Sequence, residues 1–321
     1  MSGPRFRFVT RTACPACGGE QGISRYRRRF DHPPISTFIA GYYGIDPALL
    51  ASGEYRVDQC RSCETFFQAE VGDPGLLATL YGQWLFDADQ PEGDPRYAYD
   101  MAHPRRSRDG HEIMAACAFL HVPPGKMETL DYGMGRAGWA RVAAALGCRS
   151  YGTDIAEGRR FFAARNGVRT ICHEEIEGRR FHFINTEQVM EHLADPADVV
   201  RGLAEALHPG GILKISVPSQ RGVEALLGRL AAEPPSVAHK KIMPVLPLEH
   251  VNCFSREGLV RLGHRFGLKP VRPSLTRRYS FLLQRGSMDF ADPRRVAKEL
   301  ARPFYQWANP KNIYTWLRRE A

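Results

Sequence analysis

The chain lacks any long hydrophobic run. Its longest apolar stretch, around Ile113 to Val122, is short and flanked by polar residues, whereas a membrane-spanning helix needs about 20 apolar residues. The opening residues, MSGPRFRFVTRTACPAC, carry charge but no apolar segment of the secretory kind. A cytoplasmic protein with no membrane partner is the expectation. No internal repeat is visible, which excludes solenoid and propeller architectures. Acidic residues are scarce at both ends. Residues 1–30 hold seven Arg and one Glu, and residues 270–321 hold eleven basic and four acidic side chains. Of the net charge of +9, the ends carry +6 and +7, leaving the middle at −4. Basic ends suit solvent, nucleic acid or a diphosphate-bearing substrate. At 321 residues, 43% of them apolar, the chain has enough material for about two domains and a full core.

Cysteine is not scarce. Of eight, four fall in two C-x-x-C pairs, Cys14-Pro-Ala-Cys17 and Cys60-Arg-Ser-Cys63. Each pair forms a knuckle whose thiolates converge, and two knuckles close a tetrahedral Zn²⁺ site. With every position taken by sulfur, such a metal is structural rather than catalytic. Gly18 relieves the turn after the first pair, while Glu64 stands at the same place after the second. The rival reading, a thioredoxin-like redox pair, lacks the βαβ pattern that would surround it, and disulfides are disfavoured in a reducing compartment. Cys117, Cys148, Cys172 and Cys253 are scattered and read as small apolar residues.

The most informative segment is Thr129 to Asp154, TLDYGMGRAGWARVAAALGCRSYGTD. An apolar strand ends in Asp131, a glycine turn follows (Gly133, Gly135, Gly138), then an alanine-rich helix and a second strand ending in Asp154. Glycines let the backbone approach a ligand that a Cβ would hold away. An acid about 20 residues on is where a βαβ unit meets the ribose hydroxyls of an adenosine cofactor. Gly133-Met-Gly135-Arg-Ala-Gly138 also reads as the dinucleotide fingerprint of a dehydrogenase. However, Asp131 would sit poorly beside a pyrophosphate and suits the ammonium of a methionine moiety. Trp139 is placed to pack the helix on the sheet.

This run resembles the first motif of class I S-adenosylmethionine-dependent methyltransferases, with Ala137 where the family's third glycine falls. Three later segments are similar to the same family in the same order: FHFINTEQVMEHLADP (181–196), HPGGILKISVP (208–218) and LEHVNCFSREGLVRLGHRFGL (248–268). The resemblance implies an α/β fold with a doubly wound, mostly parallel seven-stranded sheet. It implies a cofactor site of Asp131, Gly133, Gly135, Asp154 and Ile155, with Thr186 and Glu187 lining it from the end of a further strand. Glu249-His250-x-x-x-Phe254-Ser255 resembles a motif of zinc-containing sugar C-methyltransferases, in which the histidine is the proposed general base. That makes His250 the candidate base and Glu249 its candidate orienting group, with His192 next in line.

Along the chain the expected units are a zinc ribbon over 1–72, a helical linker over 73–124 and the methyltransferase core over 125–288. A proline-broken lid over 219–250 interrupts the core. Strands near 269–274 and 278–285 should form an antiparallel edge pair. The basic tail, 289–321, carries Phe304, Tyr305, Trp307, Tyr314 and Trp316 and should be helical and docked. The expected reaction is methyl transfer from S-adenosylmethionine to a small-molecule acceptor. The alternative is an RNA methyltransferase, gripping phosphates with the ribbon and with Arg25, Arg27, Arg28 and Arg29 beside Tyr26 and Phe30.

Overall fold

The computed structural model describes residues 6–20, 22–85, 95–232, 242–276, 288, 290–309 and 311–320. Its centre is a seven-stranded sheet. The strands are β6 (Glu128–Tyr132), β7 (Arg149–Thr153), β8 (Arg169–Thr170), β9 (Phe181–Glu187), β10 (Leu207–Pro218), β12 (Leu268–Val271) and β13 (Asn312–Arg319), in the order β12-β13-β10-β9-β6-β7-β8. The pairs from β10 to β8 are parallel, while β13 runs antiparallel to both β10 and β12. Strands covered on both faces read as near-continuous apolar runs, which is why β10 carries seven consecutive buried residues from Ile212 to Pro218. Helices α4 (Arg108–Leu120), α5 (Gly138–Ala145), α6 (Glu157–Arg165), α7 (Pro196–Glu205) and α9 (Arg256–His264) connect the strands. Trp139 of α5 stacks on Phe183 at 5.7 Å, fastening that helix to the sheet as its position suggested.

The tail departs from expectation. Residues 293–308 are helical (α10), but 312–319 form β13, an inner strand of the sheet. The edge partner expected at 278–285 lies outside the described residues; among the described residues the strand beside β12 is β13. The physical reason is local as well as tertiary. Asn312-Ile-Tyr-Thr-Trp-Leu is rich in β-branched and aromatic residues. In this strand Trp316 meets Phe183 edge-on at 5.3 Å and Leu317 is fully buried.

The N-terminal region builds a second sheet from β2 (Ile23–Arg29), β3 (Glu54–Gln59) and β4 (Phe66–Gln68), extended by β11 (Asn252–Cys253) from the far end of the core. It also holds the pair β1 (Phe8–Thr10) and β5 (Glu70–Gly72), helix α1 (Ile35–Tyr43) and helix α2 (Pro74–Thr79). Asp73 caps α2 by accepting from the Leu76 N–H at 2.8 Å. Phe30, Ile35, Ile39, Leu50 and Tyr55 share one apolar cluster with Val223, Leu227 and Leu230 of α8 (Val223–Ala232) and with Val245 and Leu246. The described parts of 219–250 therefore pack against the N-terminal region, and 233–241 lie outside the described residues. No helix among the described residues is long and apolar enough to cross a membrane.

Candidate cofactor and acceptor site

The turn after β6 is built as a cradle. Gly133 and Gly135 take left-handed φ values of 69° and 52°. A Cβ on Gly133 would lie 2.5 Å from Val189 Cγ2, whereas one on Gly135 would meet nothing within 4 Å. The first glycine thus allows close packing below, and the second faces open space above. Ala137 also adopts φ 56°, the conformation for which the family's glycine is suited.

Two acids flank this cradle. Asp131 is buried and accepts from Asn185 Nδ2 at 2.7 Å and from the Ala140 N–H at 3.2 Å. Burial pushes its carboxyl up to about 7, against the Asn185 hydrogen bond, which favours the charged form. Asp154, at the end of β7, accepts from the Gly135 N–H and the Ala156 N–H, both at 2.9 Å, with Arg159 at 3.6 Å. Beside it, Ile155 is 72% exposed, an apolar surface next to an acid. A buried acid, an open glycine turn, a second acid and an exposed apolar side chain fit the methionine, ribose and adenine parts of S-adenosylmethionine.

The side chains of Thr186 and Glu187, expected to line the cofactor, are engaged elsewhere. Thr186 Oγ1 donates to the Lys214 carbonyl at 3.0 Å. Glu187 pairs with Arg108 at 2.9 Å and with Lys214, whose ammonium also meets Glu112 at 3.0 Å. Asn185, Lys214 and Arg108 were missed in the sequence. A polar residue inside a buried strand, as in FHFIN and GILKISV, was the available signal.

Beyond β9 the chain turns through Gln188 (φ 56°), lays Val189 on Gly133 and forms a short turn at Met190–His192. Glu191 is fully buried, and neither carboxylate oxygen has a hydrogen-bond partner among the described residues. Burial pushes its carboxyl up to about 8. His192 Nδ1 lies 3.2 Å from the Tyr81 hydroxyl. Burial pushes its imidazole down to about 4, partly offset by the Glu249 backbone carbonyl, and Arg159 also lowers it. His250 is 5% exposed and sits edge-on to His192 with ring centres 4.7 Å apart. The backbone around His250 is fixed by Gln68, whose Nε2 donates to its carbonyl at 3.1 Å. Glu249 turns to Tyr43, whose single hydroxyl proton is shared between the Pro247 carbonyl at 2.6 Å and the Glu249 carboxylate at 3.0 Å.

The four cysteines expected to hold zinc converge. Cys14 Sγ lies 3.6 Å from Cys63 Sγ, Cys17 Sγ lies 3.6 Å from Cys60 Sγ, and all four sulfurs fall within 4.8 Å of one another. The two knuckles match. Gly18 N–H bonds back to the Cys14 carbonyl and Glu64 N–H to that of Cys60, with φ of 74° and 60°. A set of four thiolates with that spread fits Zn²⁺. Directly beyond, Ser255 caps α9 by accepting from the Gly258 N–H at 2.7 Å, and its hydroxyl donates to the Cys63 carbonyl. The cysteine centre is thus tied to the segment that carries His250.

The sheet order, with one antiparallel strand inserted beside the last parallel ones, and the acid–glycine turn define a methyltransferase fold of the S-adenosylmethionine-dependent kind. Residues 101–272 match the family model of the methyltransferase domain, and the chain belongs to that family. It is an S-adenosylmethionine-dependent methyltransferase. Among solved structures it is similar to the plantazolicin methyltransferase BamL in complex with a triazolic desmethylPZN analogue and SAH. That pair shares 11% identity with a TM-score of 0.49, covering 77% of this chain and 95% of the other. Magnesium protoporphyrin IX methyltransferase from Synechocystis, with bound SAH, gives 13% identity and 0.43, covering 77% and 100%. An S-adenosylmethionine-dependent methyltransferase from Mesorhizobium loti gives 14% and 0.40, covering 64% and 98%. No match is found among curated proteins.

Proposed function

We propose that this enzyme methylates a carbon or oxygen of a small-molecule acceptor, possessing in His250 the base that takes the acceptor's proton. The observation that carries the reading is the His192–His250 pair, with His192 on a turn that Val189 pins to the cofactor cradle. When bound, S-adenosylmethionine supplies a methyl group on a sulfonium, and the C–S electron pair stays with sulfur as the acceptor's new bond forms. Asp131 would meet the ammonium, the backbone at Gly133 and Gly135 would approach the methionine moiety, Asp154 would hold the ribose hydroxyls and Ile155 would cover the adenine. An imidazole suits the base because its ordinary pKa lies near neutrality. The four thiolates of Cys14, Cys17, Cys60 and Cys63 would hold one structural zinc, which keeps the loop ahead of α9 in place through Ser255.

Burial supports a small acceptor, since Glu191 and His250 lie below the surface where a duplex backbone does not reach. The arginine cluster also speaks against RNA. Arg25 pairs with Glu224, Arg27 with Glu54 and Arg29 with Asp31, so much of its charge is met within the protein. The test is to supply methyl-labelled S-adenosylmethionine with a small-metabolite extract and, separately, with total RNA. Label in the metabolite pool is expected, and label in RNA alone would overturn the reading. His250→Ala should reduce turnover by roughly 10²–10⁴-fold at unchanged cofactor affinity. A loss below about fivefold, well short of that range, would transfer the role to His192.

A further inference from the structure

We propose that Glu191, His192 and His250 bind one divalent metal cation, separate from the four-cysteine centre and on the acceptor side of the cofactor turn. One ligand atom from each of the three residues lies within 4.8 Å of the others. A cation held at about 2.0–2.2 Å by each would bring such ligands to roughly 3–3.5 Å apart. The second observation is Glu191 itself. It is fully buried, and both oxygens are without a hydrogen-bond partner among the described residues. Buried carboxylates are paired, hydrogen-bonded or metal-bound. A proton would neutralise this one but, its own backbone N–H apart, would leave its oxygens without a partner among the described residues. A cation satisfies them directly.

The surroundings complete the argument. Tyr81 meets His192 Nδ1 at 3.2 Å and the Glu249 backbone carbonyl also bonds the ring, and a partner on the nitrogen away from the ion is the usual way a ligating imidazole is oriented. Two imidazoles and a carboxylate form an open donor set for divalent zinc, iron or manganese, with positions left for a substrate oxygen. The cysteine centre, with four sulfurs, has no such opening. Another Glu–His–His group, Glu128, His182 and His208, is of a different kind. Its members already engage one another, with the Glu128 N–H donating to His182 at 3.1 Å and His208 3.4 Å from the Glu128 carboxylate.

This assignment rests on the small-acceptor reading and narrows it to acceptors with a hydroxyl or carbonyl oxygen that can bind the ion. In the loaded protein His250 is then a ligand, and the ion rather than a free imidazole would polarise that oxygen.

Mn²⁺ is the suitable reagent, because a hard ion avoids thiolates and is visible by electron paramagnetic resonance. The full chain, with its cysteine centre loaded with zinc, should take up one Mn²⁺ in a saturable step. The bound ion should show nitrogen couplings from imidazole. Glu191→Gln, nearly isosteric, and His250→Ala should each weaken Mn²⁺ binding at least tenfold while zinc content and S-adenosylmethionine affinity hold. No saturable Mn²⁺ site in the wild-type chain, or a bound ion without nitrogen couplings, would overturn the assignment without reference to any variant. Unchanged Mn²⁺ affinity in both variants would do the same. If Mn²⁺ does not bind yet His250→Ala still abolishes turnover, the base reading stands and the cation site falls. If Mn²⁺ binds as described but label enters RNA alone, the cation site stands and the small-acceptor reading falls.

Discussion

Glu187 and Glu191 are four residues apart at the end of one strand, and they are treated in opposite ways. Burial pushes the Glu187 carboxyl up, but Lys214 and Arg108 outweigh it and hold the group at about 2. Glu191 is buried more completely than Glu187 and has no ion pair among the described residues, and its carboxyl rises to about 8. The difference teaches that depth alone does not set the state of an acid; its partners do. A paired acid such as Glu187 braces β9 against β10 and α4. Glu191, by contrast, is the carboxylate among the described residues that is buried with neither oxygen hydrogen-bonded to another residue.

The largest expected effect breaks the paired side. Lys214→Met strips Glu112 of its lysine partner and leaves Glu187 with Arg108 alone, which should cost about 3–5 kcal/mol of folding stability. Urea unfolding of the metal-free protein measures it. Glu191→Gln in the same assay should shift stability by less than about 1 kcal/mol, because it removes no hydrogen bond. Equal losses in the two variants would erase the contrast.

The cofactor acids extend the same comparison. Asp154 is buried and accepts from two N–H donors, and each charge-assisted bond to the expected ribose would contribute roughly 1.5–3 kcal/mol. Asp154→Ala should weaken S-adenosylmethionine binding at least about tenfold, as read by calorimetry. Asp131 is the pH-sensitive partner. Its folded pKa of about 7 lies above the ordinary value of 3.8, so the folded state holds more protons between those values. Stability from this group is present below about 4 and is lost as pH rises through about 7. Cofactor affinity runs the other way, because pairing with an ammonium needs the carboxylate. Affinity should fall by up to about tenfold per pH unit below 7, and Asp131→Asn should flatten that profile.

The cysteine centre tests coupling between the two regions. Cys60→Ser should abolish the proposed zinc binding and loosen the Ser255–Cys63 tie, reducing turnover about tenfold or more through misplacement. S-adenosylmethionine affinity should change far less, since the cradle stands on the central sheet. The smallest effects concern the two left-handed residues. Glu64 is exposed, so Glu64→Gly relieves its strained conformation at little packing cost and should stabilise by up to about 1 kcal/mol. Ala137 is fully buried, and losing its methyl costs about 0.8 kcal/mol. Ala137→Gly should therefore be close to neutral.

What the sequence determined by itself was local. The two C-x-x-C knuckles, the acid–glycine turn, the caps at Asp73 and Ser255 and the alternation behind the parallel sheet each depend on residues within a few positions of one another. Spacing alone can state such demands, because φ values, thiolate convergence and cap geometry are short-range. Tertiary structure decided the rest. The seventh strand came from 312–319 because its hydrogen-bond partners lie on β10, about 100 residues earlier. Thr186 and Glu187 turned to Lys214 and Arg108, and Glu249 turned to Tyr43, because a buried polar group goes to whichever partner the packing brings near. Tyr81, Glu191 and His250 met only when β11 joined the N-terminal sheet, and no spacing in the chain records a contact made between separate sheets.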